Sequence, residues 1–303
     1  MDYDVIIIGA GPAGATAAIY ADRAGLKTLL LEKLFIGGQI VNTYEVENYT
    51  GIKYILGTDL VTKIEEHIKN FEIDFKREEV KEILFEGNAK IVKTKKNEYR
   101  SKTIILTMGS NPRYLNITGE EQFKARGVSY CATCDGALYR KQNVVVIGGG
   151  NTAVEDAIFL SRMCDTVHIV HRRDQFRADK KVVNNLLNIK NIIVHFDCVA
   201  EEIGGSKTAE YINIKNVKTN EITKIDTSCV FVAIGQIPNN DLVKDKIKTD
   251  EAGYIITDNN MATNVAGVYA AGDGRVNILK QIITSAGEGA IAAYGASVFI
   301  ASS

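Results

Sequence analysis

Cys131 and Cys134 stand three residues apart and are followed at once by Asp135 and Gly136. A CxxC at the start of a helix brings two sulfurs within disulfide distance, and the helix N-terminus together with the neighbouring thiol lowers a thiolate pKa. The pair is suited to thiol–disulfide exchange. A zinc site would need a second CxxC or a histidine pair at ligand spacing, and the sequence has neither. Asp135 has two readings, a proton donor and acceptor for the thiols or a helix cap. Cys164, Cys198 and Cys229 have apolar neighbours and read as buried small hydrophobes.

Two glycine-rich turns supply a second chemistry, Gly9-Ala10-Gly11-Pro12-Ala13-Gly14 and Gly148-Gly149-Gly150-Asn151-Thr152-Ala153. In a dinucleotide fold the first glycine permits a tight turn and the second lets the backbone approach a pyrophosphate. The third position allows close helix packing, and the helix N-terminus offers its N–H groups to the phosphates. Twenty-three residues beyond Gly9 stands Glu32, a carboxylate able to accept hydrogen bonds from ribose hydroxyls, which suits FAD. The same count from Gly148 reaches His171, followed by Arg172, Arg173 and Arg177. A cationic cluster there suits a 2′-phosphate, so the second site is expected to take NADPH rather than NADH. Two dinucleotide sites and one dithiol together imply a relay of reducing equivalents from one cofactor, through another, to sulfur.

These residues need elements to position them. Tyr3 to Ile8 reads as a buried strand, Pro12 to Ala24 as a helix and Thr28 to Glu32 as a second strand, a βαβ unit of roughly 30 residues. The same grammar returns in strand Asn143 to Ile147, helix Thr152 to Met163 and strand Thr166 to Val170. Ile73 to Arg100 alternates charged and apolar residues as exposed antiparallel strands do, and Thr103 to Met108 reads as a buried strand ending at Gly109. Ser228 to Ile234 is its counterpart in the second unit. Gly253 to Ala271 is strand-like and ends in Gly272-Asp273, and Gln281 to Ile300 reads as a small-residue-rich helix.

The expected fold class is α/β with two Rossmann-like dinucleotide-binding domains, the NADPH domain inserted into the FAD domain. Residues 1–113 and 241–303 would form the FAD domain, and residues 114–240 the NADPH domain with the dithiol. The crossings near Pro112 to Asn116 and Pro238 to Asp241 sit at prolines and polar residues, as hinges often do. With 303 residues, 46% of them apolar, the chain is long enough for two ordinary cores. A net charge of −1 lacks the broad positive field of nucleic-acid or membrane-surface binders. No basic n-region precedes Val5 to Ile8, no apolar run is long enough to span a bilayer, and five scattered cysteines do not form a secreted framework. The expectation is a soluble cytoplasmic protein.

The string Arg126 to Gly136, with Gly148 to Ala153 and His171 to Ala178, closely resembles the low-molecular-weight thioredoxin reductases of bacteria. Gly37-Gly38-Gln39, Glu45 to Tyr49, Ala270 to Asp273 and Ile283 to Gly287 fall in the same family's order, so the resemblance covers nearly the whole chain. It implies that NADPH reduces FAD, that the flavin reduces the Cys131–Cys134 disulfide, and that the dithiol reduces thioredoxin. By position Cys134 would face the flavin, Cys131 would attack the partner disulfide, and Asp135 would serve as acid/base. Glu32, Gly38, Gln39, Asn48, Gly109, Gly272, Asp273 and Gln281 would line the FAD site with the first glycine turn. Asn151, Thr152, Glu155, His171, Arg172, Arg173 and Arg177 would hold NADPH with Gly148, Gly150 and Ala153. The resemblance also implies a homodimer and a rotation of the inserted domain.

Thr50, Thr118, Gly274 and Lys280 depart from the family pattern, the last because lysine cannot make arginine's bidentate contact. The nearest rival is a ferredoxin-dependent flavin thioredoxin reductase of the same fold with a degenerate second site, against which the intact second turn and arginine cluster argue. A flavin reductase without thiol chemistry is opposed by the CxxC, and a non-catalytic nucleotide sensor has no positive support. The reductase of a peroxide-removing system normally carries an additional dithiol domain before the flavin strand.

Overall fold

The structure, a computed structural model, describes residues 2–43 and 45–302. The chain divides into two compact units, Met1–Asn111 with Ile237–Ser303, and Pro112–Gln236.

In the first unit β1 (Tyr3–Ile8) leads through the first glycine turn into α1 (Pro12–Arg23) and returns as β2 (Thr28–Glu32). The β-branched run Val5-Ile6-Ile7-Ile8 is buried on both faces, which a parallel strand covered by helices requires. A 3-10 turn, Gly38–Asn42, precedes the short pair β3 (Glu45–Val46) and β4 (Ile55–Leu56), and α2 (Gly57–Ile68) follows. Then come β5 (Asp74–Arg77), β6 (Val80–Glu86), β7 (Ala89–Thr94), β8 (Glu98–Leu106) and β9 (Ser110–Pro112).

In the second unit β10 (Val128–Ser129) leads into α3 (Ala132–Asp135), then β11 (Asn143–Ile147), α4 (Asn151–Ser161) and β12 (Thr166–Val170). Next are α5 (Lys180–Leu187), β13 (Ile192–His195), β14 (Cys198–Gly205), β15 (Ala209–Asn216), β16 (Ile222–Asp226) and β17 (Cys229–Val232). The chain leaves through β18 (Gln236–Pro238), which pairs with β9, and ends in the first unit with β19 (Val268–Ala270) and α6 (Ile282–Ala301).

The main sheet of the first unit runs β5-β2-β1-β8-β7-β6, with β19 also beside β8. The nine-residue β8 serves two structures: Glu98 to Ser101 pairs antiparallel with β7, while Ile104 to Leu106 pairs parallel with β19. The second unit has a five-stranded parallel sheet, β10-β17-β11-β12-β13, and a three-stranded antiparallel sheet, β14-β15-β16.

Two expectations change. Ile73 to Arg100 is not wholly antiparallel, because β5 joins β2 in parallel and only the strands after it form a meander. Gly253 to Ala271 contains one strand, β19. Upstream of it Asp250 Oδ1 accepts the Ala252 and Tyr254 N–H groups, and Asp258 Oδ1 accepts those of Asn260 and Ala262. Side-chain turns of this kind satisfy the backbone locally and take it out of a ladder. Among the described residues no helix is long and apolar enough to cross a membrane.

Candidate active site and cofactor cradles

Val128, buried in the core of the second unit, anchors β10, and the chain then passes through Tyr130 to Cys131. The Tyr130 hydroxyl donates to Glu120 at 3.0 Å, and the same buried carboxylate accepts the Leu115 and Asn116 N–H groups. That satisfied carboxylate fixes the residue in front of the dithiol. Cys131 is extended, caps α3, and its Sγ accepts the Cys134 N–H at 3.2 Å. The two cysteines are joined as a disulfide, with Cα atoms 5.3 Å apart. A Cβ on Gly136 would lie 2.7 Å from Leu160, so glycine there lets this short helix sit directly on α4.

Asp135 Oδ2 accepts a hydrogen bond from Ser129 Oγ at 2.6 Å, while Oδ1 is buried with no hydrogen-bond partner. Burial raises the carboxyl's pKa, and the Ser129 bond offsets part of the rise. The side chain makes no capping bond in the 3-10 turn that follows α3. Burial pushes the neighbouring Cys229 thiol well up, which keeps it neutral, and Cys164 and Cys198 are also buried free thiols.

The first glycine turn lies between β1 and α1. Gly9 has φ +104°, and a Cβ there would meet the Thr107 carbonyl oxygen at 2.4 Å. No other residue type fits so tight a turn. A Cβ on Gly38 would lie 3.0 Å from the Gly11 Cα, so the two backbones approach closely. Glu32 Oε2 accepts the Ala10 N–H and Oε1 the Leu34 N–H, both at 2.9 Å, and each oxygen keeps a further lone pair. Gln39 Nε2 donates to the Ser110 carbonyl and to Asn111 Oδ1, beside Gly109, which has φ +65°. Asn48 donates to Gln281 Oε1 at 3.1 Å, and Gln281 caps α6 through a reciprocal box with Thr284. Asp273 accepts from Ser285, and a Cβ on Gly272 would meet the Ala13 Cβ at 3.0 Å. Pro12, Ala13 and Gly14 form the first turn of α1, so the residues expected around FAD converge on the N-termini of α1 and α6.

Three residues unremarked in the sequence hold this arrangement. Glu288 on α6 accepts the Gly272 N–H at 2.7 Å and pairs with Arg275 at 2.6 Å, both side chains being 13% exposed. Arg275 also donates to Thr257 Oγ1 at 2.8 Å. The Gly272-Asp273-Gly274 loop is thereby tied to α6. Lys280, one of the departures noted above, places its ammonium 3.7 Å from the Tyr254 ring centroid and is drawn towards Asp273 and Asp250.

The second glycine turn joins β11 to α4. A Cβ on Gly148 would meet the Ala233 carbonyl at 2.4 Å and the Ala153 Cβ at 2.7 Å, whereas one on Gly150 would meet nothing within 4 Å. Asn151 Oδ1 accepts the Asp179 N–H, and the Arg177 N–H donates to the Gly149 carbonyl, so the segment after β12 closes over the turn. Thr152 and Glu155 are exposed in the first turns of α4. His171 differs from the arginines that follow it. Its ring is buried against Phe176, and a Cβ on Gly149 would lie 2.1 Å from its Nδ1. Arg172, Arg173 and Arg177 are exposed, and among the described residues none pairs with a carboxylate.

Both cradles suit nucleotides on this geometry. α1 and α4 begin at Gly11 and Gly150 without a side-chain cap, which leaves their N-termini able to meet phosphates. Near the first cradle Asn240 and Asn277 each carry a buried Oδ1 without a partner.

Residues 3–289 match the pyridine nucleotide-disulphide oxidoreductases, and the chain belongs to that family. A flavin and a pyridine nucleotide are the cofactors this membership implies, and the two cradles accommodate such a pair. Among similar proteins, the thioredoxin reductase of Peptoclostridium acidaminophilum is 42% identical over 305 residues, covering 98% of this chain and 97% of its own. The crystal structure of thioredoxin reductase from Streptococcus pyogenes is 41% identical and covers 99% of both chains with a TM-score of 0.96. That of Lactococcus lactis thioredoxin reductase in the FR conformation is 43% identical and covers 99% of this chain and 100% of its own, with a TM-score of 0.69.

Proposed function

We propose that this protein is a thioredoxin reductase that takes reducing equivalents from NADPH and delivers them, through FAD and the Cys131–Cys134 dithiol, to the disulfide of thioredoxin. The carrying observation is a formed CxxC disulfide beside a buried carboxyl, in a unit whose second glycine turn is followed by three exposed arginines that, among the described residues, pair with no carboxylate. Whole-length identity to thioredoxin reductases supports the same reading.

In this reading the first unit holds FAD and the second holds NADPH. Glu32 takes the ribose hydroxyls; Gln39, Asn48, Asp273 and Gln281 line the rest of the first cradle, and Gly9, Gly11, Gly14, Gly38, Gly109 and Gly272 give it room. Arg172, Arg173 and Arg177 take the 2′-phosphate, while Gly150 and the first turn of α4 meet the pyrophosphate. A flavin held in the first cradle would supply two-electron chemistry between a pyridine nucleotide and the Cys131–Cys134 disulfide. Cys131 then attacks the thioredoxin disulfide, Cys134 resolves the mixed disulfide, and Asp135 carries the proton. Dithiol and nicotinamide site share one unit, so the units rotate between half-reactions about β9 and β18.

The protein works in the cytoplasm as a homodimer. Exposed Tyr20 on α1 and exposed Ile291, Tyr294 and Val298 on α6, two helices that pack together, support the dimer. The test of the assignment is NADPH oxidation with thioredoxin disulfide as acceptor. Turnover is expected in the native protein and lost in Cys134→Ser. A ferredoxin-dependent enzyme would instead leave NADPH unconsumed.

A further inference from the structure

We infer that Ser129 is a positioning residue for proton transfer at the dithiol: its hydroxyl occupies Asp135 Oδ2 and leaves Oδ1 as the oxygen that exchanges the proton. The inference rests on the reading of Asp135 as acid/base and deepens it. Ser129 is itself 5% exposed and is held at both ends, its Oγ accepting the Cys131 N–H at 3.1 Å and donating to Asp135 Oδ2 at 2.6 Å. One hydroxyl thus links the backbone of the attacking cysteine to the carboxyl that follows the resolving cysteine. A serine in a β strand has no need of a carboxylate six residues on, and the bond joins the two ends of the CxxC loop.

The orphaned Oδ1 gives the arrangement a direction. A carboxylate oxygen buried without a donor holds negative charge poorly, and a protonated Oδ1 relieves that cost. Burial therefore raises the proton affinity of the carboxyl, and the Ser129 bond, which favours the ionised form, offsets part of that rise. The titratable groups around it are the Cys131 and Cys134 sulfurs, the neutral Cys229 thiol from β17, and, on α4, which packs against α3, Glu155 and Asp156, the latter raised to about 7 by burial and then by Glu155.

The step balances without an outside reductant. In the mixed disulfide between Cys131 and thioredoxin, Cys134 gives its thiol proton to Asp135 Oδ1 and its sulfur attacks that of Cys131. The Cys131–Cys134 bond forms, the bond from Cys131 to the partner breaks, and the departing thiolate takes the proton from Asp135. Asp135 must begin as the carboxylate, so the rate rises with pH through its pKa. Ser129 moves neither electron nor proton, and sets where that rise falls.

The test follows disulfide formation in the flavin-loaded, dithiothreitol-reduced protein after rapid mixing with thioredoxin disulfide, across pH, by acid quench and alkylation of the remaining thiols. Ser129→Ala is expected to move the acid limb upward by about one pH unit or more, a roughly tenfold slowing at any pH on that limb that recovers on the plateau above it. Ser129→Thr keeps the hydroxyl and leaves the limb in place, whereas Ser129→Val, of threonine's shape, moves it. The Thr and Val pair makes the same comparison if the alanine variant does not fold. A uniform slowing of Ser129→Ala or Ser129→Val at every pH, with an unmoved limb, would overturn the inference. Asp135→Asn separates the two claims: full activity without the limb removes the acid/base reading itself, while lost activity beside an unmoved limb in the Ser129 variants removes the Ser129 role alone.

Discussion

Glu32 and His171 hold equivalent positions after their glycine turns, yet their side chains are used differently. Glu32 stays at the rim, where its oxygens gather the Ala10 and Leu34 N–H groups and where its negative charge opposes a 2′-phosphate. The imidazole of His171 turns inward beneath Gly149, and the positive charge is presented by the arginines after it. Two charge-assisted contacts at about 1.5–3 kcal/mol each correspond to roughly two to four decades of affinity. Arg172→Ala/Arg173→Ala is therefore expected to raise the NADPH Michaelis constant by about that factor and to change that for NADH little, in steady-state assays with each nucleotide. An unchanged NADPH value would refute the assignment of the cluster. The spacing of Glu32 and His171 was legible because a βαβ turn has a nearly fixed length. Ser129, Glu120 and Glu288 were not, since their partners are set by tertiary packing and carry no periodic signal.

At the scale of elements, β1, β2, β11 and β12 have the bounds the sequence implies, because each is a short apolar run closed by a glycine or a charged residue. Gly253 to Ala271 misleads because short apolar runs such as Tyr254 to Ile256 look like strands while Asp250 and Asp258 bend the chain through local bonds. The antiparallel β14, β15 and β16 drew no sequence reading, and their exposed residues and register shifts at Ala200/Glu202 and Gly204/Gly205 blur the alternation that would have marked them. The tie between α6 and the Gly272 loop is testable. Glu288→Ala leaves Arg275 buried without its partner, a loss of about 3–5 kcal/mol. Thermal melting with flavin absorbance in the soluble fraction should show earlier unfolding and flavin loss, and an unaltered melt with full flavin content would contradict that role.

A second element-scale expectation concerns β12 and β13, where His168 Nδ1 and His195 Nε2 lie 2.9 Å apart. Burial first, and then the charge of His195, lowers the pKa of His168 to about 4. In the unfolded chain it titrates near ~6.5, so between these values the unfolded state binds more protons. This contribution to stability is complete above ~6.5 and is lost as pH falls towards about 4. Urea unfolding at pH 7 and pH 5 should show a smaller loss in His168→Asn than in the native chain, and an equal loss would exclude the pair as its source.

At the scale of the molecule, the division of labour follows from two units that repeat one grammar. Each has a strand, a glycine turn and an uncapped helix, but the dithiol sits in the second and the carboxylate that suits an unphosphorylated ribose in the first. That repetition was legible from the two glycine turns. The partner's docking surface was not, because a surface that meets another protein has no fixed spacing. The central claim is that electrons from NADPH reach thioredoxin only by way of the flavin and the Cys131–Cys134 pair. Anaerobic mixing with NADPH should bleach the visible flavin band, and thioredoxin disulfide added next should restore it in the native protein but not in Cys134→Ser. Failure of NADPH to bleach the flavin, or recolouring of Cys134→Ser at the native rate, would contradict the account.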